Sequence, residues 1–556
     1  MRLLLKMTRK TDSLRRGIAN GFLAVWRRAY AAFALVTLWA GLAAAQNVPY
    51  ERILNSPNEP NNWLTYSGNY TGQRYSTLSQ INASTVKRLK VAWVHQTGTT
   101  ESHQTSPVVV DGVMFITEAP NVVKSLDAKT GTVFWRYEHQ IPNDLRLCCG
   151  RPNRGVAILN DTVYYGSINA DLVALDARTG RVKWTVKMAD HTLGYSSTVA
   201  PLAVKDKIII GVAGGEFGIR AFIDAYDAKT GKRLWRFHTV PGEGEFGRET
   251  WAGDSWKTGS GSIWITGSYD PEANTVIWGT GNPGPDWNGD VRKGDNLFSD
   301  SFVALDADTG QRKWHFQFTP HDTHDWDATQ VPVLIDGTFR GQPRKMVVTA
   351  NRNGFYYVLD RTTGKFLQGK AFIKQTWARG LDDNGRPLVV PNTEPTEEGN
   401  LIWPSLGGGT NWYSPSYSPH SNLFYVPVRE QGAYYFKGEA DYKPGVIFNG
   451  GGQRNNPDEE PYGAVRALDP ETGTLKWEFR TAAPASAGIL TTKGNLLFTG
   501  TSQGDFVALD STTGSVLWRF KGGLGMGSNP VTYSVDGRQY VAAAIGRALF
   551  VFDLME

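Results

Sequence analysis

The chain has 556 residues, which is long enough for one very large repeat domain or for several ordinary domains. Its formal net charge is +5, but residues 1–45 contain eight basic residues and one acidic residue, which leaves about −2 for the rest. This balance excludes nucleic acid as a partner, because such binding needs a basic surface. The two cysteines, Cys148 and Cys149, are adjacent, which excludes a structural zinc site and a covalently attached c-type haem.

Residues 1–45 have the composition of a secretory signal. Basic residues come first, an apolar run spans residues 31–42, and three alanines at 43–45 precede Gln46. This order predicts a signal peptide over residues 1–45, export to the periplasm, and a mature catalytic domain over residues 46–556. The apolar run is short and rich in alanine, so we expect no membrane span in the mature chain. An uncleaved N-terminal anchor is the alternative.

The mature chain is built from repeats. The motif Asp-x-x-Thr-Gly occurs seven times, at 127–131, 176–180, 227–231, 306–310, 360–364, 469–473 and 510–514. Six copies place a tryptophan four residues after the glycine, and the copy at 360–364 is the exception. The Asp and Thr side chains can close a turn, and the glycine supplies a positive φ. Copies without an insertion between them lie 41 to 54 residues apart, which is the length of a four-stranded propeller blade.

The two ends of the mature chain supply one further unit. Residues 548–553 form an apolar strand that reaches the motif's aspartate and stops, whereas Val91-Ala92-Trp93 resembles the outer strand that follows the motif. Pairing these two segments closes a ring and leaves no exposed inner edge. The sequence therefore predicts an all-β fold, an eight-bladed β-propeller of four-stranded antiparallel blades closed by N- and C-terminal strands.

The unusual polar and aromatic residues fall at one end of the predicted ring, opposite the Asp-x-x-Thr-Gly turns. Second strands at 207–212, 275–279 and 345–349 lead to turns that contain Glu216, Asn282 and Arg352. The connections between blades contain Cys148, Cys149, Arg154, Thr198, Trp264, Asp325, Asp327, Asn411 and Trp412. Each residue alone could be a turn former, a core residue or a solvated acid, but their clustering favours a functional site.

The oxygen donors at this end suit a hard cation. Glu216, Asn282, Asp325 and Asp327 offer oxygen atoms only, which favours such a cation over zinc or copper.

The other residues at this end suit a flat, anionic ligand. Arg154 and Arg352 can pair with carboxylates, and Trp264 can stack on a planar ring. A bond between Cys148 and Cys149 would be strained, since adjacent Cα atoms are only about 3.8 Å apart. The pair could present a flat surface to the ligand, or it could remain as two thiols.

In these segments the sequence resembles the pyrroloquinoline-quinone (PQQ) alcohol dehydrogenases, of the methanol and ethanol dehydrogenase large-subunit type. The resemblance extends over about residues 47–556. The matching segments are Cys-Cys-Gly-Arg-Pro-Asn-Arg-Gly at 148–155, Gly-Gly-Glu-Phe-Gly at 214–218, Gly-Thr-Gly-Asn-Pro at 279–283, Thr-Pro-His-Asp at 319–322, Asn-Arg-Asn-Gly at 351–354, and Asn-Trp at 411–412. It implies an enzyme that oxidises an alcohol to an aldehyde.

The resemblance also implies a role for each candidate residue. Cys148 and Cys149 would form a ring disulfide against one face of the quinone, and Trp264 would lie on its other face. Asp325 would be the general base and would surround the metal ion together with Glu216 and Asn282. The other expected cofactor contacts are Gln104, Arg154, Thr198, Gly214, Gly215, Glu216, Arg352, Asn411 and Trp412.

Two residues refine this expectation. Gln104 stands where the family usually has a glutamate facing the cofactor, so it can form a hydrogen bond but carries no charge. Asp327 lies two residues after the expected base, where lanthanide-using members of the family have an acid that calcium-using members commonly lack. A third carboxylate balances a trivalent ion, so we expect a lanthanide as the metal, with calcium as the alternative.

The implied reaction needs an electron acceptor. The sequence has no Cys-x-x-Cys-His motif, so we expect a separate protein, a soluble cytochrome c, to accept the electrons from the oxidation of a small alcohol. Within enzymes, a sugar, polyol or polymer alcohol is the alternative substrate, and the insertion at 365–410 could form a different substrate funnel. From another class of protein, a non-enzymatic propeller scaffold in envelope assembly has the same repeats.

Overall fold

The computed structural model describes residues 47–555, and the predicted signal peptide over residues 1–45 lies outside them. Eight sheets with four antiparallel strands each dominate these residues, and we name them A to H in chain order. The strands of the first four sheets are, in A, Val108–Val110, Val113–Glu118, Val122–Asp127 and Val133–Glu138; in B, Ala157–Leu159, Thr162–Gly166, Asp171–Asp176 and Val182–Lys187; in C, Leu202–Val204, Lys207–Gly211, Phe222–Asp227 and Arg233–His238; in D, Ser268–Asp270, Thr275–Gly279, Ser301–Asp306 and Arg312–Gln317.

The last of the eight sheets, H, joins the two ends of this region. The strands of the remaining sheets are, in E, Val333–Phe339, Gln342–Ala350, Phe355–Asp360 and Phe366–Ala371; in F, Ser416–Ser418, Leu423–Glu430, Tyr462–Leu468 and Leu475–Thr481; in G, Leu490–Thr492, Leu496–Gly500, Asp505–Asp510 and Val516–Lys521; in H, Val531–Val535, Arg538–Ile545, Ala548–Leu554 and Leu89–Gln96. In sheet H, Leu89–Gln96 pairs antiparallel with Ala548–Leu554, as the sequence predicts for the closing strands.

The other elements are short. Tyr75–Ser76 adds a parallel strand to sheet G, and two small sheets form from Ala378–Leu381 with Pro387–Val389 and from Asn400–Ile402, Ala433–Lys437 and Gly451–Asn455. The described region has one α-helix, Tyr50–Leu54, and the 3₁₀ helices Ser56–Asn58, Val86–Arg88, His191–Leu193, Gly215–Phe217, Arg248–Thr250, Ser255–Thr258 and Gly289–Arg292. None of the helices within residues 47–555 has the length and apolar character to cross a membrane.

The repeated motif forms the predicted turn in all seven copies. The aspartate side chain accepts a hydrogen bond from the backbone N–H of the threonine, at 2.8 to 3.1 Å. The seven motif glycines have φ between +68° and +76°. A Cβ at Gly131 would also lie 2.6 Å from the ring of Trp93, so both backbone conformation and space require glycine there.

The motif tryptophans join each sheet to the next. The indole N–H of Trp93 donates to the turn of sheet A, and the following tryptophans extend this pattern from A to E and from F to G: Trp135, Trp184, Trp235, Trp314 and Trp477. Where the motif at 360–364 lacks its tryptophan, the Tyr356 hydroxyl donates to the Pro470 carbonyl and joins E to F. Phe506 packs on Phe552 between G and H. These contacts close a ring of sheets, and the predicted β-propeller fold is confirmed.

A buried ion cluster connects the closing strand to sheet A. Glu118 is 2% exposed, and its carboxylate lies 2.7 Å from Lys124 Nζ and 2.9 Å from His95 Nε2. Burial alone would raise the pKa of Glu118, but the hydrogen bonds from His95 and Lys124 lower it to about 2. The carboxylate therefore remains charged in the folded protein and compensates the buried Lys124.

Replacing Glu118 with glutamine is expected to lower the free energy of unfolding by about 3 kcal/mol, because a buried lysine then lacks its countercharge. The measurement is the melting temperature. The control is Lys129→Gln, which breaks the solvent-exposed salt bridge between Lys129 and Asp536 across the same pair of sheets and should leave the melting temperature unchanged. Equal melting temperatures for Glu118→Gln and wild type would contradict this prediction.

Candidate active site

The predicted site residues converge on one cavity of about 310 Å³. Its walls include these predicted residues: Gln104, Cys148, Cys149, Arg154, Thr198, Gly214, Glu216, Trp264, Asp325, Asp327, Arg352 and Trp412. They come from turns and connections of several sheets, so residues far apart in sequence meet at the end of the ring opposite the motif turns.

Three predicted residues do not line the cavity. Gly215 begins the 3₁₀ helix that carries Glu216, and the Asn282 carboxamide lies beside it. Asn411 uses its side chain locally: Nδ2 donates to the Gly407 carbonyl and Oδ1 accepts from the Trp412 backbone N–H. Asn411 therefore positions the connection that places Trp412 in the cavity wall.

Backbone geometry positions Glu216. The strand Lys207–Gly211 leads into the 3₁₀ helix Gly215–Phe217, which is flanked by Gly214 and Gly218, both with positive φ. A Cβ at Gly214 would lie 2.1 Å from the Gly194 carbonyl oxygen, so this turn requires glycine. The Glu216 Oε1 atom lies 3.2 Å from the Cys149 Sγ atom, which donates to it.

The loop that carries Asp325 is held from within by Asp322. The Asp322 carboxylate accepts hydrogen bonds from the backbone N–H groups of His324 and Trp326, at 2.9 and 2.7 Å. Asp325 itself has φ +59°, a left-handed conformation that aspartate adopts more readily than most residues. Burial raises the pKa of Asp325 well above its ordinary value, while the Arg352 guanidinium, 3.8 Å away, opposes that shift.

Asp327 is 5% exposed, so it does not face solvent. Its Oδ1 atom accepts the backbone N–H of Asn282 at 2.8 Å, and its Oδ2 atom accepts from Trp264 Nε1 at 3.2 Å and from Arg352. Burial raises the pKa of Asp327 to about 6, although Arg352 opposes the shift. This carboxylate thus connects three elements of the predicted site.

Two buried arginines have unused donors. Arg154 lies 5.0 Å from the ring of Trp264 and 4.8 Å from that of Trp412, and its Nη1 atom donates to Thr198 Oγ1 at 2.8 Å. Its Nε atom and the Nε atom of Arg352 are buried without a hydrogen-bond partner. Because buried polar groups are normally paired, these two N–H groups suit a ligand that carries carboxylates, such as PQQ.

Cys148 and Cys149 are both free cysteines in the structure, so the expected ring disulfide stays a prediction. The hydrogen bond between the two sulfurs raises the pKa of Cys148 well above its ordinary value, which favours the thiol over the thiolate. Both side chains line the cavity, as expected for a contact with the cofactor.

The predicted metal ligands share the site but do not form one coordination sphere. Within residues 47–555, the three metal-binding side chains whose ligand atoms come within 4.8 Å of one another are Cys148, Cys149 and Glu216, a set that excludes Asp325 and Asp327. The carboxylates repel one another because they carry like charges. Each also lies beside another partner: Glu216 beside Cys149, and Asp325 and Asp327 beside Arg352. The site still offers oxygen donors, which suit a hard cation. The buried Asp286 carboxylate beside Asn282 adds an Oδ2 atom that has no hydrogen-bond partner.

Sequence reasoning missed several residues of this site. Asp286 and Asp322 are buried acids that hold Asn282 and the Asp325 loop; no repeat or motif marks Asp286, and Asp322 ends the matching segment at 319–322 without an assigned role. The unpredicted residues of the cavity wall are Leu147, Gly150, Pro152, Ile168, Ser196, Ala213, Phe217, Ser262 and Leu406. Most of them are small or apolar neighbours of predicted residues, so only adjacency in the sequence could have indicated them.

Comparison with known protein families indicates the same cofactor, PQQ, that the cavity residues suit. The PQQ family model, described as the β-propeller domain of glucose, ethanol and alcohol dehydrogenases, matches residues 63–369. A second model, described as the outer membrane protein assembly factor BamB, matches residues 462–553, none of which lines the cavity.

Similar proteins cover nearly the whole chain. The quinoprotein alcohol dehydrogenase PedH of Pseudomonas putida is 42% identical over 92% of this chain and 90% of its own length. The quinoprotein ethanol dehydrogenase of Pseudomonas aeruginosa is 36% identical over 93% of this chain and 90% of its own length.

Solved structures also align with nearly the whole chain. A europium-containing methanol dehydrogenase superposes with a TM-score of 0.86 at 34% identity, over 91% of this chain and 100% of its own. The quinohemoprotein alcohol dehydrogenase of Comamonas testosteroni has a TM-score of 0.87 at 35% identity, over 92% of this chain and 84% of its own. The alternative of a non-enzymatic scaffold is wrong, and the chain belongs to the PQQ-dependent quinoprotein alcohol dehydrogenases.

Proposed function

We propose that this chain oxidises small alcohols to aldehydes in the periplasm with PQQ and a lanthanide ion, and that a soluble cytochrome c accepts the electrons. The observation that carries the proposal is the cavity in which the carboxylates of Glu216, Asp325 and Asp327 meet two buried arginines with unpartnered Nε atoms. Such a site suits a cation together with a planar ligand that bears carboxylates.

We assign the residues as follows. Glu216, Asn282, Asp325 and Asp327 would hold the cation, and Arg154, Thr198 and Arg352 would hold PQQ beside Gln104, Trp264 and the Cys148–Cys149 pair. When bound, PQQ supplies the hydride acceptor and the cation supplies a Lewis acid.

Asp325 would act as the general base. Its carboxylate would accept the proton of the alcohol hydroxyl, a role that needs an ionised carboxylate with a raised proton affinity. Burial provides the raised affinity, and the Arg352 guanidinium at 3.8 Å favours the ionised form. The left-handed backbone at Asp325, fixed by the hydrogen bonds of Asp322, would hold this carboxylate in place before the substrate binds.

A second cavity adjoins the first and is lined by both apolar and charged residues. This second cavity, of about 560 Å³, shares Leu147, Gly150 and Phe217 with the first and continues along Val446 and Ile447. Glu101, Arg146 and Arg151 also line it, so the wall combines apolar and charged groups, and the choice of an alcohol over a sugar follows from the alcohol and ethanol dehydrogenases that the chain is similar to. The insertion at 365–410 contributes only Leu406 to these two cavities, so the path to the site is formed by other segments.

Two observations support the metal and the acceptor. Asp327 is buried in the cavity wall, where a third carboxylate favours a trivalent ion, and europium, which a similar methanol dehydrogenase contains, is a lanthanide. Calcium is the alternative. The adjacent positions of the two cysteines leave no haem-attachment motif in the sequence, which supports a separate cytochrome c.

The test is an assay with an artificial dye as the electron acceptor. Purified apo-protein would be mixed with PQQ, with either lanthanum or calcium, and with a panel of small alcohols and sugars. The proposal predicts alcohol-dependent dye reduction that needs PQQ and is faster with lanthanum. Full activity with calcium and no gain from lanthanum would contradict the metal assignment, and oxidation of sugars alone would contradict the substrate assignment.

The role of the cysteine pair gives a separate prediction. Cys148→Ser is expected to impair activity while barely moving the melting temperature, because a bond between adjacent residues constrains very little chain. Thiol titration of the wild-type protein before and after gentle reduction would measure whether the disulfide is present. A large loss of thermal stability with activity intact would make the pair structural.

A further inference from the structure

Asp286 is a buried acid to which the proposed reaction assigns no role. It is 1% exposed, and its Oδ1 atom accepts a hydrogen bond of 2.9 Å from the Asn282 Nδ2 atom. Its Oδ2 atom has no hydrogen-bond partner. An isolated carboxylate of this kind is costly to bury, so its position next to a proposed cation ligand calls for a physical reason.

The hydrogen bond to Asp286 fixes which way the Asn282 amide points. A carboxylate only accepts hydrogen bonds, so the amide must turn its NH₂ group towards Asp286. The Oδ1 atom then points towards the turn that carries Glu216, 3.6 Å from the position of a Cβ on Gly215. The backbone N–H of Asn282 is held as well, by Asp327 at 2.8 Å.

Asp286 is itself held rigidly. The fully buried guanidinium of Arg292 donates to the backbone carbonyls of Pro285 and Asp286, at 3.0 and 3.2 Å. Its third nitrogen donates to Asn296 Oδ1 at 2.9 Å. Because Arg292 hydrogen-bonds the backbone at residue 286 and not its carboxylate, the loop is fixed while the Asp286 Oδ2 atom keeps no hydrogen-bond partner.

The charges at the site assign Asp286 a second effect. Around a cation, Glu216, Asp325 and Asp327 provide three negative charges, and Arg352 offsets one of them because it contacts Asp327 and lies 3.8 Å from Asp325. Two net charges would suit a divalent ion. In its ionised form, which a bound cation would favour against the burial that raises its pKa, Asp286 restores the third.

We propose that Asp286 is a positioning residue of the cation site, which holds the Asn282 carbonyl oxygen towards the ion and adds the negative charge that favours a trivalent over a divalent ion. This inference rests on the proposed function, because it presupposes a cation among Glu216, Asn282, Asp325 and Asp327. It assigns Asp286 no contact with the substrate.

Terbium binding to the apo-protein tests the inference without any measurement of activity. Terbium is a luminescent trivalent ion that nearby tryptophans sensitise, and calcium affinity follows from competition against it. Asp286→Asn keeps the hydrogen-bond acceptor but removes the charge, whereas Asp286→Ala removes both. The matched control is Asp290→Asn, an exposed acid of the same loop that pairs with Lys293 and Lys437.

We expect Asp286→Asn to weaken terbium binding about 10-fold, within the range known for residues that orient metal ligands. The calcium affinity should fall only about fivefold, because Coulomb energy scales with the charge of the ion. Asp286→Ala should weaken both ions further, and Asp290→Asn should change neither.

The outcomes separate this inference from the proposed function. Terbium and calcium affinities of both Asp286 variants equal to those of wild type would overturn the inference and leave the cation site standing. Equal fold losses for the two ions in Asp286→Asn would overturn the role in charge selection, since a purely structural effect would not distinguish them. Failure of wild type to bind either ion would contradict the cation site of the proposed function and this inference with it.

Discussion

Asp325→Asn is expected to reduce turnover by about two to four orders of magnitude, the usual contribution of a general base. Asparagine has nearly the same shape but cannot accept the hydroxyl proton. The loop should keep its conformation, because Asp322 and not Asp325 makes the hydrogen bonds to its backbone. Steady-state turnover of the reconstituted enzyme, measured at saturating PQQ and metal, is the test.

A change of this size must be separated from a loss of cofactor. PQQ binding by Asp325→Asn, followed through the absorbance of the bound quinone, should persist. The matched control is Asp254→Asn, which alters an exposed aspartate paired only with Lys257 and should leave turnover unchanged. Near-normal turnover in Asp325→Asn would rule out Asp325 as the base.

Asp327→Ala is expected to weaken lanthanum binding by about 100-fold or more and to reverse the preference for lanthanum over calcium. The substitution removes one negative charge and also the acceptor for Asn282, Trp264 and Arg352. Losses of 10- to 100-fold are typical when a residue that only orients a ligand is changed, so loss of a ligand should cost at least as much. Activity titrations with each ion, for wild type and variant, measure the effect.

A second variant separates charge from structure. Asp327→Asn keeps one oxygen acceptor, which can serve the backbone N–H of Asn282, but removes the charge and the acceptor for Trp264 and Arg352, so it should share the loss of lanthanum preference. If wild type and both variants show the same ratio of lanthanum to calcium activity, Asp327 does not select the metal.

The fold could be predicted because its signal is local and repeated. Each Asp-x-x-Thr-Gly turn is closed by its own side chains, so the positions of the third and fourth strands of each sheet follow from a few adjacent residues. Closure by Leu89–Gln96 was predictable because its strand carries the motif tryptophan without a preceding turn. The contact that Tyr356 makes in place of the missing motif tryptophan could not be predicted, because it depends on three-dimensional packing.

The site was predictable only in part. Alternation of turns along the strands gathers Glu216, Asp325 and Arg352 at one end of the ring, and the structure places them in one cavity. The partners of these residues could not be predicted, because hydrogen bonds such as those of Asp327 to Trp264 and Asn282 depend on exact side-chain positions. The role of Asp286 could not be predicted for the same reason. In the sequence it is one acid in a loop, and only the structure shows that it is buried beside Asn282.

The most direct test of the central claim is reduction of the bound quinone by an alcohol when no dye or cytochrome is present. The apo-protein would be loaded with PQQ and lanthanum, mixed anaerobically with ethanol, and followed by stopped-flow absorbance. We predict reduction of about one equivalent of quinone per protein, since the cofactor itself takes up the hydride. In Asp325→Asn the same change should occur at least about 100-fold more slowly. An unchanged quinone spectrum in the loaded wild type across the alcohol panel, or equal rates in wild type and Asp325→Asn, would contradict the account.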